Sequence, residues 1–415
     1  MRYKKVCDDL VIARTFDFKK LIKSVIVLLF AAAVVFLVMK DTDNAPAFAE
    51  ESSTYEGFSG LPDEFYDMYG NPADDSVDYA RNRLTATQKK LYDTFYEHLS
   101  RGEYTITSGF AGLSNEDILK VYKSVYFDHP EFCWLSGDCT YETINRAITS
   151  FTFEIYCDES DIRSNQWRAE NAAMDIVNQA MSYESDYDKA LFVHDYLVNN
   201  IEYNHDYADK RGPSESPEVS LGCSMYGALV DGSTVCQGYA QSYQYILKKL
   251  GIEAVYVTGY GNASSHTWTM VKLDGKYYHT DVTWDDPTFA EDIKTNGGVR
   301  HDYFCLTTQE LERDHDVSDD IDYEYCTATE CNYYVRNGNY VESYSRDKIK
   351  RIITGAIDNH ELLEIKFATN EVYEQAINDL MDNRGINDIF AELNIYDLSF
   401  SYSADHPYLF IYKDF

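Results

Sequence analysis

The tightest local constraint on this chain is the dipeptide Asp274-Gly275, set between HTWTMVKL and KYYHTDVTW, two runs rich in β-branched and aromatic residues. Asp-Gly is the residue pair of a two-residue type I′ turn, so the segment predicts a tight β-hairpin. Closing it there sets Leu273 opposite Lys276, Met270 opposite His279, Trp268 opposite Asp281 and His266 opposite Thr283. Facing residues point to one side of a sheet, as do residues two apart. His266, His279 and Asp281 therefore share a face. His266 and Asp281 are diagonal neighbours, about 7–8 Å apart between backbones, within reach of an imidazole and a carboxylate.

Upstream, GSTVCQGYAQSYQYILKKLG reads as a helix. Tyr239, Tyr243, Ile246/Leu247 and Leu250 recur at helical spacing, Ser233 or Thr234 offers an N-cap, and Gly251 a stop. Cys236 falls in the first turn, where the amide N–H groups and the helix dipole favour a thiolate. A cysteine at a helix start is by itself more often a small core residue. With a histidine and an aspartate on the hairpin it completes a nucleophile, a base and an orienting acid. The hairpin alone leaves His266 and His279 both open as the base.

GSTVCQGYA, SHTW and GKYYHTDVTWDDP resemble the three signature blocks of the transglutaminase-like superfamily, papain-type cysteine acyl-transfer enzymes. HDYLVNNIEYN and SMYGALV upstream, and HDYFCLTTQEL downstream, are similar to its bacterial branch. The likeness covers roughly residues 185–315. It implies Cys236 as nucleophile, His266 as general base and Asp281 as orienting acid. It also implies an α+β fold, a papain-like core whose Cys-bearing helix packs on an antiparallel sheet carrying the His and the Asp. By the same likeness the activity is peptidase or amidase chemistry on a protein or peptide substrate, in a cell-wall setting. Cross-linking of proteins is the alternative reaction, and a non-enzymatic surface scaffold the rival class. No segment resembles the calcium sites of the animal cross-linking enzymes, and no cofactor is implied. The Cys236 N–H and Tyr226 are candidate oxyanion donors, and Tyr226, Trp268 and Trp284 candidate cleft residues.

Other residues have simpler readings. His194 lies on the apolar face of a helix over Asp186 to Asn199 and reads as a hydrogen-bonded core histidine. His279 reads as structural once His266 is the base. Asp285 and Asp286, before Pro287, read as turn formers. Cys133/Cys139 and Cys326/Cys331 are close enough in sequence to pair, yet nine cysteines in 415 residues are not a disulfide scaffold. Neither C-x-x-C nor H-E-x-x-H occurs, so no metal site is expected.

Charge sets the remaining expectations. Residues 1–40 hold eight basic and three acidic residues, whereas the rest of the chain holds 28 and 67. So acidic a chain excludes general nucleic-acid binding, which needs concentrated Lys and Arg. Val25 to Met39 is an unbroken apolar run of 15. Residues 1–20 read as a basic cytoplasmic segment and 21–39 as a single-pass membrane anchor or a signal sequence, with the bulk outside the cell. Secretion after cleavage near Ala49 is the alternative. An acidic linker over 40–83 leads to an α+β accessory unit over 84–183, the catalytic domain over 184–325, and an α/β unit over 330–415. In the first accessory unit, capping boxes at Thr85/Gln88 and Ser114/Asp117 start two helices, and Phe151, Phe153 and Ile155 alternate along a half-buried strand.

Overall fold

Helix starts in this chain are set by short polar side chains that take up the first free amides. The Thr85 hydroxyl accepts from the Gln88 N–H while Gln88 Oε1 accepts from the Thr85 N–H at 2.8 Å, the expected capping box, and helix α1 (Ala86–Ser100) follows. Ser114 and Asp117 exchange the same pair of bonds ahead of α2 (Asn115–Asp128). The computed structural model describes residues 78–210, 217–286, 299–356, 363–395, 398–402 and 407–413. The expected cytoplasmic segment, the 21–39 apolar segment and nearly all of the linker lie outside them. Among the described residues no helix is long and apolar enough to cross a membrane.

The fold is α+β and divides into two compact units. The smaller takes residues 85–122 and 136–154. Its sheet has the order β1 (Thr105–Ile106), β3 (Ala147–Ile155), β2 (Leu135–Ile144). Alternate β3 residues turn inward, so the Phe151 and Phe153 rings each lie 5.1 Å from that of Phe95 on α1.

The larger unit holds α3 (Glu159–Ala180), α4 (Asp186–Asn200), a two-stranded parallel ribbon of β4 (Glu202–Tyr203) and β5 (Ser233–Thr234), and α5 (Cys236–Lys249). Next comes an antiparallel sheet of β6 (Ala254–Gly261), β7 (Ser264–Leu273), β8 (Lys276–Thr280) and β9 (His315–Val317), in the order β8-β7-β6-β9. α5 packs on β6 and β7. Its buried glutamines are satisfied one by one. Gln237 donates to the Tyr126 hydroxyl (2.9 Å), Gln241 accepts from the Met225 N–H (3.0 Å), and Gln244 donates to the Phe127 carbonyl (2.8 Å). A Cβ at Gly238 would stand 2.1 Å from Thr234 Oγ1 and 2.6 Å from the Ser224 carbonyl, so only glycine lets the first turn of α5 approach this closely.

Two local expectations change. The cap of α5 is Val235, not Ser233 or Thr234, because those two residues are drawn into β5 and the Thr234 hydroxyl donates to the Gly222 carbonyl at 2.8 Å. The Asp274-Gly275 turn has both residues at positive φ, and the register pairs Leu273 with Lys276 and Met270 with His279 as expected. The ladder stops at Thr280, however, where KYYHTDVTW predicts a strand through Trp284. Asp281 instead caps a short helix, α6 (Val282–Asp285), its Oδ1 accepting from the Thr283 and Trp284 N–H groups at 3.0 and 3.2 Å. A side chain that satisfies its own downstream amides outcompetes the strand.

The C-terminal part forms a sheet in the order β10 (Tyr340–Val341), β11 (Leu363–Phe367), β13 (Tyr408–Lys413), β12 (Leu398–Tyr402), with β10 parallel to β11. Its apolar core includes Ile349, Ile353, Ile365, Phe367, Leu380 and Ile386. Polar contacts tie it to the preceding residues. The Tyr334 hydroxyl sits between the carboxylates of Asp302 (2.7 Å) and Glu364 (2.9 Å), and Lys366 pairs with Glu310 at 3.5 Å. The described cysteines, Cys133, Cys139, Cys326 and Cys331 among them, are free thiols.

Candidate active site

Three elements of the larger unit bring Cys236, His266 and Asp281 together. Cys236 is the first residue of α5, at the positive end of the helix dipole, and is partly exposed. His266 lies on β7, opposite Gly259 of β6, and is 6% exposed. Its Nε2–H donates to Asp281 Oδ2 at 2.6 Å, and the ring is within hydrogen-bonding reach of the Cys236 thiol. Asp281 is fully buried at the start of α6.

The electrostatics follow from that chain. Burial opposes a charge on His266, but the Asp281 carboxylate and the Cys236 sulfur outweigh it and raise its pKa to about 10. Burial likewise opposes the charge on Asp281, and the His266 and His315 rings override it, holding the carboxyl well below its usual range. At neutral pH the proton therefore resides on His266 and the negative charge on Asp281.

The space around the imidazole is closely filled. A Cβ on Gly261 would lie 2.8 Å from Trp284 Cζ2 and 3.3 Å from His266 Cδ2, so the bare backbone of β6 makes room for both rings. Trp284 lies 5.7 Å from His266 between ring centres, and Trp268 5.9 Å. Trp268 is buried, and its indole N–H donates to His279 Nδ1 at 3.1 Å. Tyr226 is buried, and its hydroxyl accepts from the Arg168 guanidinium.

His279 is held differently. With Nδ1 accepting from Trp268, its Nε2–H donates to the Thr308 hydroxyl at 3.1 Å, a neutral tautomer fixed on both sides. Burial and the nearby His315 lower its pKa to about 3. His194 is a buried hydrogen-bonded histidine, as its helix face predicts, with Asp195 at 2.9 Å and Asp285 at 3.0 Å. Asp285 and Asp286 are not turn formers. Asp285 also accepts from the Tyr303 N–H at 3.0 Å, Asp286 accepts from the Tyr239 hydroxyl, and both are fully buried.

His315 carries no signal in the residue pattern around it. It stands on β9, paired with Gly261, and its Nε2 meets the same Asp281 Oδ2 that receives His266, at 3.1 Å. A three-residue strand has too little periodicity to reveal which residue faces the site. Among the described residues, two groups have donor atoms close enough for a metal ion: His266, Asp281 and His315, and His194, Asp195 and His301. In both, the donors are already joined by hydrogen bonds, with His301 Nε2 at 2.9 Å from Asp195.

The model of the transglutaminase-like superfamily matches residues 175–282. Among solved structures, a TGase is similar at 18% identity, covering 38% of this chain and 46% of that one, with a TM-score of 0.26. A candidate cysteine protease from Cytophaga hutchinsonii is 21% identical over 32% of this chain and 41% of its own, with a TM-score of 0.23. A candidate protease from Parabacteroides distasonis is 12% identical over 34% and 30%, with a TM-score of 0.22. The chain spans less than half the length of each of these solved proteins. No curated protein matches the sequence. Cys236 and His266 fall inside the matched span and Asp281 near its end: residues 175–282 are a domain of the transglutaminase-like superfamily.

Proposed function

We propose that this protein is a cysteine acyl-transfer enzyme acting on amide bonds of a protein or peptide, with Cys236 as nucleophile, His266 as acid–base partner and Asp281 as the orienting carboxylate. The observation that carries this reading is the continuous chain from the Cys236 thiol through His266 to a buried, fully ionised Asp281. The thiol proton rests on His266 as a thiolate–imidazolium pair, and the thiolate attacks the amide carbonyl carbon at the positive end of α5. As the C–N bond breaks, His266 returns the proton to the departing amine, leaving a thioester on Cys236. Water attacks the thioester with His266 as base, releasing the acid and restoring the thiol. Hydrolysis is the favoured outcome by resemblance to exported bacterial relatives, and an amine in place of water would give cross-linking.

The test is iodoacetamide labelling of folded, reduced protein, with each thiol mapped by mass spectrometry. Cys236 labels fastest, with an inflection below the free-cysteine value of about 8.5. Slower labelling at Cys236 than at the other thiols refutes the assignment and favours a scaffold that has lost its chemistry. We also propose that the bulk of the chain works outside the cell, on the strength of the basic N-terminal end and the acidic remainder. Protease shaving of intact cells then removes the C-terminal part. Its survival while other surface proteins are lost overturns that placement.

A further inference from the structure

Asp281 serves two imidazoles through one oxygen. Its Oδ2 receives His266 Nε2 at 2.6 Å and His315 Nε2 at 3.1 Å. The other nitrogen of His315, Nδ1, lies 2.5 Å from Asp314 Oδ1, and Asp314 Oδ2 in turn accepts from the Tyr303 hydroxyl at 2.7 Å. A carboxylate oxygen can only accept, so an imidazole with a carboxylate on each nitrogen must carry a proton on both. His315, 1% exposed, is thereby a buried imidazolium between two carboxylates.

Resting on the function proposed above, we infer that His315 is a positioning residue of the same site, a fixed positive charge that holds Asp281 in place and tempers its pull on His266. The groups facing it are few. Asp314 precedes it on the chain, Asp281 faces it from the start of α6, His266 from β7 with ring centres 5.4 Å apart, and Tyr303 through Asp314. From β8, His279 feels its charge and stays neutral. Trp268 and Trp284 close the remaining sides, at 5.0 and 4.3 Å between ring centres, and bring no charge.

The sign of the effect follows from Coulomb's law. A cation beside the thiolate–imidazolium pair stabilises the thiolate and destabilises the imidazolium, so it lowers the pKa of both groups. Removing it raises both. At the 5.4 Å ring separation, and with an effective dielectric of about 20, the shift on His266 is about two pH units.

The experiment measures the rate of Cys236 alkylation against pH in the full-length protein, for wild type, His266→Ala, His315→Gln and His315→Leu. Gln keeps a donor for Asp281 and removes the charge, whereas Leu removes both. His315→Gln moves the inflections to higher pH, the His266 one by about two units, and keeps most of the maximal rate. His315→Leu moves them likewise and loses rate as well. If both variants keep the wild-type inflections, the inference is overturned and His315 is merely structural. If His266→Ala leaves the wild-type profile unchanged, the nucleophile–base reading itself fails, which is a distinct result. Should the His315 variants not fold, histidine-selective ¹⁵N NMR of the wild type decides: two protonated ring nitrogens on His315 at pH 8 support the inference, and a neutral tautomer refutes it.

Discussion

Replacing Asp281 by Asn changes few atoms and leaves a problem with no good solution. The native carboxylate accepts four hydrogen bonds, two on Oδ1 from the Thr283 and Trp284 amides and two on Oδ2 from His266 and His315. An amide offers one oxygen. Turned toward the histidines, its NH2 faces two backbone donors; turned the other way, it faces two imidazole N–H groups. Each buried donor left without an acceptor costs about 1–3 kcal/mol, so Asp281→Asn should lose about 2–6 kcal/mol, a large share of the 5–15 kcal/mol typical of a domain. His266 can relieve one clash by giving up its Nε2 proton. The ring then holds its proton on Nδ1 and cannot accept from Cys236, which is the wrong-tautomer loss, up to about 10⁴-fold in a triad of this kind. Urea unfolding followed by circular dichroism reads the first effect, and the Cys236 alkylation rate at pH 7 reads the second. A variant with the wild-type unfolding midpoint would show that Asp281 does not hold those four donors, and wild-type alkylation in it would show that the carboxylate does not orient His266.

Further predictions follow from the same neighbourhood. Gly261→Ala drives a methyl against Trp284 and His266; it should cost about 1–3 kcal/mol as overpacking and slow Cys236 alkylation at least tenfold, measured beside a control such as Gly112→Ala, whose added Cβ meets nothing within 4 Å but whose positive φ strains the chain. Stability should fall from pH 6.5 toward about 10 through His266, because the folded ring keeps its proton up to about 10 while the unfolded one releases it near 6.5. His266→Gln should flatten that limb of a pH series of urea midpoints. His279 acts with the opposite sign. Its folded pKa of about 3 lies below the unfolded value, so its contribution is present above pH 6.5 and fades toward pH 3, and His279→Gln should lessen that acid loss while leaving Cys236 reactive.

What could be read from the sequence was what short-range rules decide. The Asp274-Gly275 turn and the strand register depend on two residues and their neighbours, and the helix carrying Cys236 announces itself by apolar spacing and a glycine stop. The rest depended on contacts between distant segments. Thr234 fails to cap α5 because β5 pairs with β4, 31 residues upstream, and the pattern around it carries no trace of that pairing. The strand after Thr280 breaks because Asp281 takes the amides ahead of it, although Val282, Thr283 and Trp284 are all good strand formers. His315 reaches the site only through the pairing of β9 with β6. Asp285 and Asp286 look like turn residues beside Pro287, yet fold inward because His194 and Tyr239 supply the partners that make their burial tolerable.

The Tyr334 hydroxyl between Asp302 and Glu364, with Lys366 against Glu310, has a practical bearing on how a minimal fragment could be cut. A chain stopped after residue 325 would keep every residue of the proposed triad. It would also strip Asp302 of a buried hydroxyl and remove Glu364 from beside His301, whose Nδ1 lies 3.9 Å from that carboxylate. Asp302 and His301 directly precede Tyr303, whose carbonyl accepts the Asp281 N–H and whose own N–H is held by Asp285. Trimming the C-terminal sheet would thus loosen the very segment that braces Asp281, and a truncated protein could express, bind dye as a partly open globule and still show no thiol chemistry. Inactivity in such a fragment would report on the cut, not on Cys236.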